Sequence, residues 1–105
     1  MMRKLRAAEI GFLKKMIECS GCERKISWPL EDLLVEEMDD GDMGSLSFVS
    51  EKSCRALGED IAKTEFFDKD GILVLVTLSL DNYGDLFEMD VWKTDFSRLI
   101  AFPIV

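Results

Sequence analysis

Apolar residues recur at helical spacing near the start of the chain. Between Ala7 and Cys19 the apolar positions lie three or four residues apart, as they do on one face of a helix. These positions are Ile10, Leu13, Met16 and Ile17. Gly21 follows, and glycine suits a helix C-terminus because a positive φ is favoured there. The pattern predicts one amphipathic helix over residues 7–19.

After Pro29, short apolar runs alternate with turns rich in aspartate and glycine. Runs of this kind are typical of strands joined by tight turns. The predicted strands cover residues 33–38, 45–49, 61–67, 72–80 and 86–93. Residues 51–57 are predicted to form a loop with a short helical turn. The apolar tail 99–105 is predicted to be a last edge strand, since a sheet edge tolerates Pro103.

The turn at residues 81–84 allows the pairing of two strands to be predicted. If these four residues form the loop, Leu80 faces Asp85. One face then carries only apolar side chains, namely Val74, Val76, Leu78, Phe87, Met89 and Val91. The other face pairs Thr77 with Glu88, Leu75 with Asp90, and Leu73 with Trp92. We predict that the apolar face packs on the helix and that the mixed face is an interaction surface.

Together these elements predict a single α+β domain over residues 1–105. An N-terminal helix packs on a meander-like antiparallel sheet of about five strands, and the length suffices for one hydrophobic core. Charged residues interrupt the start of the chain, so no signal peptide is predicted. The apolar run 72–80 is too short to span a bilayer. Three cysteines, an odd number, fit a reducing compartment, and we expect a cytoplasmic protein that does not bind membranes.

The chain is acidic, and the acidic residues are unevenly distributed. There are 13 Lys+Arg, 21 Asp+Glu and no histidine, for a formal net charge of −8. Residues 1–30 carry seven basic and three acidic side chains (+4), whereas residues 31–105 carry six and eighteen (−12). A low isoelectric point can serve colloidal stability alone. An acidic surface also repels nucleic acid, so a basic protein partner is favoured.

The missing histidine excludes several kinds of site. A Ser-His-Asp triad, a Cys-His dyad and a histidine-ligated metal each lack their central residue. Cys19 and Cys22 have redox-motif spacing, but they end a predicted helix, whereas a redox pair opens one. Cys54 would give a zinc site only a third ligand. Ordinary reduced cysteines are favoured, and a metal- or redox-active protein is a third alternative.

The acidic turns and paired carboxylates have simpler explanations than catalysis. The turns at 39–44 and 68–71 lack the later ligands of a calcium loop, and turn chemistry accounts for their composition. Glu88 and Asp90, flanked by Asp85 and Asp95, could serve in hydrolysis. A chain of this length offers little room for a substrate cleft. We expect no enzyme activity, cofactor or metal.

Two stretches carry distinctive motifs. Residues 37–46 contain MDDG-x-MGSL, and residues 86–99 contain LFE-x-D-x-WK-x-DFS-x-L. Together they resemble a family of small bacterial proteins of uncharacterised function, over most of the chain. Where that family often has a proline before the final leucine, this chain has Arg98. By type and composition the chain also resembles immunity proteins of contact-dependent inhibition systems, which bind one secreted toxin domain, frequently a basic nuclease, and block its active site.

We therefore expect an immunity protein, a monomer that neutralises a basic toxin domain by occupying its active site. Acidic side chains would steer association, and Trp92 would anchor the contact. The expected contact residues are Glu36, Glu37, Asp39, Asp40, Asp42, Asp81, Asp85, Glu88, Asp90, Trp92 and Asp95. The turns at 68–71 and 81–84 close opposite ends of one strand, so only part of the acidic set can form one patch.

The alternative is a small structural or regulatory binding module. It could form a homodimer through an exposed strand edge at residues 102–105. An immunity protein can be a monomer when free, so sedimentation would distinguish the two.

Overall fold

The computed structural model describes residues 2–21, 29–39 and 41–103. In chain order the elements are β1 (Met2–Lys4), α1 (Ala7–Ser20), a 3-10 turn (Leu30–Asp32), β2 (Leu34–Glu37), β3 (Leu46–Phe48), β4 (Leu57–Phe67), β5 (Leu73–Asp81) and β6 (Leu86–Lys93). The strands form one antiparallel sheet in the order β1-β2-β3-β6-β5-β4. The α+β class is confirmed, with six strands in the described residues instead of about five. No helix in these ranges is long and apolar enough to cross a membrane.

Helix α1 begins where the apolar periodicity begins and ends one residue beyond its predicted end. At its start the Glu9 carboxylate accepts a hydrogen bond from the backbone N–H of Arg6, at 2.7 Å. At its end Gly21 has φ 71° and donates its N–H to the carbonyl of Glu18, as a left-handed cap residue does. The predicted positions Leu13, Met16 and Ile17 are buried, and so is Phe12.

Two stretches of strand were not predicted. Strand β1 is short and basic, and its pairing with β2 places Arg3 opposite Val35. From there the Arg3 guanidinium donates to both carboxylate oxygens of Glu9, at 2.8 and 2.9 Å. Strand β4 begins four residues before its predicted start, in a polar stretch with two register shifts. A Cβ at Gly58 would overlap the backbone carbonyl of Asp81, so only glycine fits this irregular segment.

The predicted β5–β6 register is wrong by two residues. Leu78 pairs with Met89 instead of Phe87, and a shift between Ser79 and Leu80 sets Leu80 opposite Leu86. Side chains alternate between the two faces of a strand, so a shift by two keeps residues 88–92 on their predicted faces. Beyond the irregularity, Leu86 takes the core-face position that was predicted for Phe87. The irregularity buries Leu86 and leaves Phe87 half-buried.

The core lies between α1 and one face of the sheet. This core face carries buried apolar side chains from five of the strands, namely Val35, Leu46, Phe48, Ala62, Val74, Val76, Leu78, Leu80, Met89 and Val91. The prediction that the helix packs on the face of Val74, Val76 and Leu78 is confirmed. No helical turn occurs in residues 51–56, so that prediction is wrong.

The C-terminal segment also covers the core face. The predicted edge strand is wrong for residues 99–103, which have no strand structure; residues 104 and 105 lie outside the described ranges. Leu99 instead donates its N–H to the carbonyl of Asp42. The ring of Phe102 lies 5.0 Å from that of Phe12 and 6.2 Å from that of Phe66, centroid to centroid. The segment is held by side-chain packing.

Candidate interaction surface

The second face of the sheet, which we call the open face, lies opposite α1. Both α1 and residues 99–103 pack on the core face. Strand alternation assigns to the open face Met2, Lys4, Leu34, Glu36, Ser47, Asp60, Lys63, Glu65, Phe67, Leu73, Leu75, Thr77, Ser79, Glu88, Asp90 and Trp92. The prediction that Thr77, Glu88, Asp90 and Trp92 share one face is confirmed.

Acidic side chains lie along the middle of the open face. Register aligns Glu36, Ser47, Glu88, Ser79 and Asp60 in one row that crosses five strands. In the next row Asp90 pairs with Thr77, which pairs with Lys63 on the edge strand.

Those central carboxylates lack nearby cations. Within the described ranges, no cationic side chain lies within ion-pair distance of Glu36, Glu88 or Asp90. The middle of the face therefore carries uncompensated negative charge.

Exposed aromatic rings lie at one end of the same face. Trp92 is 46% exposed, and its ring centroid lies 6.0 Å from that of Phe96. Phe67 is 72% exposed and pairs with Leu73, while Trp92 pairs with Leu75. Phe96 has φ 64°, a backbone conformation that a bulky residue adopts only under strain. The result is an apolar patch beside the acidic row.

The structure separates the expected contact residues into several groups. Glu36, Glu88, Asp90 and Trp92 lie together on the open face. The exposed residues Asp39, Asp42 and Asp95 lie in turns at the aromatic end, because the β2–β3 connection and the end of β6 meet there. Asp40 lies outside the described residues.

The remaining three expected residues already have partners, and they are Glu37, Asp85 and Asp81. Glu37 accepts from Arg3 at 3.4 Å and lies 3.9 Å from Arg6. Asp85 pairs with Lys52 at 2.6 Å, at the opposite end of the sheet. The expected contacts did not include Asp60, Glu65, Phe67 or Phe96. The sequence did carry a signal for the two aromatic residues, since Phe67 ends a predicted strand and Phe96 lies in the DFS motif that follows another.

Asp81 is buried within an ionic cluster. Its carboxylate accepts from the Arg55 guanidinium at 2.7 Å and from the backbone N–H groups of Tyr83 and Asp85. Burial acts to raise the pKa of Asp81, but these hydrogen bonds outweigh it and the pKa is lowered. Arg55 also donates to the carbonyls of Phe48 and Leu86, at 2.7 Å each. We therefore leave Asp81 out of the interaction surface.

A second buried cluster fixes the aromatic end. The fully buried Lys93 donates to Asp68 at 2.9 Å, to Asp70 at 2.6 Å and to the carbonyl of Arg98 at 3.1 Å. Asp68 also accepts from the N–H groups of Ile100 and Ala101. Burial acts to lower the pKa of Lys93, but the bonds to Asp70 and Asp68 outweigh it and the pKa is raised. This cluster ties the end of β6 to the C-terminal segment, next to Trp92.

We expect the Asp68 cluster to make the fold sensitive to acid. Burial acts to raise the pKa of Asp68, but hydrogen bonds from Ile100 and Lys93 outweigh it and lower the pKa from 3.8 to about 2. A folded-state pKa below the unfolded value contributes stability above about pH 4, which is lost as pH falls towards 2. The contribution is about 2 kcal/mol.

Urea unfolding at steps from pH 5 to pH 2 measures this dependence. The Asp68→Asn variant is expected to lose stability less steeply over that interval than the unmodified protein. Equal slopes for the two proteins would contradict the assignment.

The two motif stretches of the sequence pack against each other. The Ser45 hydroxyl accepts from the N–H of Val91 at 2.8 Å and donates to its carbonyl at 3.0 Å. Gly44 has φ 102°, and a Cβ there would lie 3.0 Å from Leu99. These residues therefore join the β2–β3 connection to β6 and the C-terminal segment.

Other features of the described chain give weaker grounds for a site. An open groove of about 470 Å³ lies near the start of α1. Its lining includes two long ion pairs, Arg6 with Glu37 and Arg98 with Asp42. Their opposite charges leave little excess charge to select a ligand. Cys19 and Cys54 are exposed, and Cys22 lies outside the described residues. In the described part of the chain, no three histidine, cysteine, aspartate or glutamate side chains are grouped to hold a metal ion.

The comparisons with known proteins identify a family. A family model described as a domain of unknown function (DUF6984) matches residues 2–103. The chain belongs to this family. The expectation of a small uncharacterised family is confirmed, while the motif signature and the likeness to immunity proteins stay predictions. Searches of the curated proteins and of the solved structures gave no match.

Proposed function

We propose that this chain is an immunity protein that binds a basic bacterial toxin domain through the open face. In its most specific form the proposal is that this toxin domain is a nuclease. The observation that supports the proposal is the row of Glu36, Glu88 and Asp60, with Asp90 beside it; within the described ranges only Asp60 of these four has a cationic neighbour, Lys63 at 3.9 Å. Within the described ranges the only basic side chains on this face, Lys4 and Lys63, lie on the two edge strands. A basic surface would therefore meet carboxylates across the middle of the sheet.

In the proposed inhibition, opposite charges bring the two proteins together, and apolar contacts hold the complex. A nuclease must be basic around its active site to hold phosphate groups. A row of carboxylates attracts such a surface and can occupy the phosphate positions. Charge pairs mainly raise the association rate and the specificity, so affinity needs desolvated contacts. Trp92 and Phe96, with Phe67 at the same end of the face, supply such contacts.

The decisive experiment takes a candidate toxin domain from the genes that neighbour the gene of this chain. Co-expression is expected to rescue cells from that toxin, and the purified pair is expected to form a stoichiometric complex. Failure of both rescue and binding would overturn the proposal. Binding without rescue would overturn inhibition at the active site.

Substitutions on the open face should separate rate from affinity. The Glu88→Lys/Asp90→Lys variant is expected to associate about tenfold more slowly at low salt. Trp92→Ala is expected to raise the dissociation constant about 30-fold, mainly through faster dissociation. Stopped-flow mixing over a series of salt concentrations measures both effects.

The control is Glu18→Lys, a single charge reversal on the exposed side of α1, which is compared with the single reversal Glu88→Lys on the open face. The Glu18→Lys variant is expected to leave both rates within about twofold, because the open face lies on the other side of the sheet. An equal loss in Glu18→Lys, or an association rate independent of salt, would contradict steering by the open face.

A further inference from the structure

The two edges of the sheet differ in what they can pair with. Strand β1 has three residues, whereas β4 has eleven. In β4 both register shifts lie before Ala62, and residues 62–67 pair with β5 without interruption. Within the described ranges, β4 pairs with no strand other than β5. Bulges protect an edge against pairing, so the regular half is the part open to another strand.

The regular half of β4 is complementary to itself in charge. Lys63 and Glu65 both lie on the open face and are exposed, and the only ion pair of Lys63 in the described chain is a loose one to Asp60 at 3.9 Å. If a second copy paired antiparallel about Thr64, each Lys63 would face Glu65 of the other copy. Opposite charges in facing positions stabilise a strand pair. The two-fold axis creates this pair twice.

The core-face side of the same edge offers apolar contact. A groove of about 250 Å³ runs between α1 and β4 and is lined by Phe12, Met16, Phe66 and Pro103, among others. The same register sets Phe66 of the second copy opposite Ala62, beside this groove. Thr64 faces the helix side yet is exposed, so nothing in the described chain covers this margin of the core.

We propose that the occupant of this edge is a second copy of the chain, paired through residues 62–66 of both β4 strands. The sheet then continues from one copy into the other, with both helices on one side and both open faces on the other. The strand contact is short, so the expected dissociation constant is about 10–100 μM. The inference does not rest on the proposed function, and it differs from the expected monomer and from an interface at residues 102–105.

Sedimentation equilibrium over about 1 μM to 1 mM tests the pairing. The unmodified protein is expected to pass from monomer to dimer in this range. Lys63→Glu and Glu65→Lys are each expected to raise the dissociation constant at least about tenfold, because each sets like charges opposite one another twice. A protein that stays monomeric throughout would overturn the proposal.

The mixture of the two single variants is the sharpest measurement. The Lys63→Glu variant carries two acidic side chains at this edge, and the Glu65→Lys variant carries two basic ones. In the proposed register these acidic and basic side chains would face each other, so the mixture is expected to form a heterodimer although each variant alone is a monomer. The doubly exchanged variant Lys63→Glu/Glu65→Lys is expected to dimerise like the unmodified protein. No heterodimer in the mixture would exclude this register. Toxin binding is a separate readout, so either proposal can fail alone.

Discussion

Replacing Asp68 with alanine is expected to lower the free energy of unfolding by about 4 kcal/mol. The change leaves the buried ammonium group of Lys93 with one carboxylate, Asp70, whose side chain is 36% exposed. It also removes the acceptor for the N–H groups of Ile100 and Ala101. A buried charge that loses its partner costs more than the pair contributed, because the desolvation is no longer offset.

Urea denaturation followed by tryptophan fluorescence measures this loss. The control is Asp70→Ala, expected to cost about 1 kcal/mol because that carboxylate is partly solvated. A double variant, Asp68→Asn/Lys93→Met, is expected to recover part of the loss, since no buried charge is then left alone. Equal costs for Asp68→Ala and Asp70→Ala would show that Lys93 does not depend on the buried partner.

Replacing Arg55 with leucine is expected to cost about 3 kcal/mol. Arg55 lies in the irregular connection before β4, yet its guanidinium satisfies Asp81 and the carbonyls of Phe48 and Leu86. Its guanidinium carbon also lies 5.1 Å from the centre of the Phe87 ring. Leucine would leave the Asp81 carboxylate buried without a cation and two carbonyls without a donor.

The same denaturation measurement checks this prediction against two further variants. Lys52→Leu breaks the exposed pair with Asp85 and is expected to cost less than about 1 kcal/mol. Arg55→Lys keeps the charge but cannot reach three acceptors in different directions, so an intermediate loss is expected. Full stability in Arg55→Lys would mean that charge alone, without the planar group, accounts for the role of Arg55.

Sequence pattern was sufficient for the elements whose burial is periodic. The helix and strands β5 and β6 each repeat one kind of side chain at a fixed spacing, and this spacing determines which face is buried. The exact register was not predictable, since an irregularity that shifts the pairing by two residues leaves the faces of residues 88–92 unchanged. Strand β1 was missed because the contacts that hold it leave no periodic pattern in the sequence. These contacts are its long-range hydrogen bonds to β2 and the Arg3–Glu9 ion pair.

Lys93 shows a different limit. It follows Met89 and Val91 at two-residue spacing, so alternation alone would assign it to the core face. A lysine in a core needs acceptors, and the two carboxylates that accept from Lys93 come from a turn more than twenty residues away in sequence. The turn at residues 68–71 was predicted from its composition, but its carboxylates could be matched to Lys93 only once the positions of the strands were known.

The interaction surface was partly predictable for the same reason. Alternation along β6 was enough to place Glu88, Asp90 and Trp92 together. The contributions of Asp60 and Glu65 depend on how β4 pairs with β5, which includes two irregular steps. Phe96 joins Trp92 only through a left-handed backbone conformation after the end of β6, and no periodic pattern indicates such a conformation.

The order of the strands has one more consequence. In the described chain the sheet consists of two groups of strands that are consecutive in sequence, β1–β3 and β4–β6. Within the described ranges only β3 and β6 join the two groups in the sheet, with Leu46 opposite Met89 and Ser47 opposite Glu88. The row from Glu36 to Asp60 crosses this narrow seam. A partner that contacts both ends of the row would bridge the two halves of the sheet, and because it would bind only the folded arrangement it would also stabilise that arrangement against unfolding.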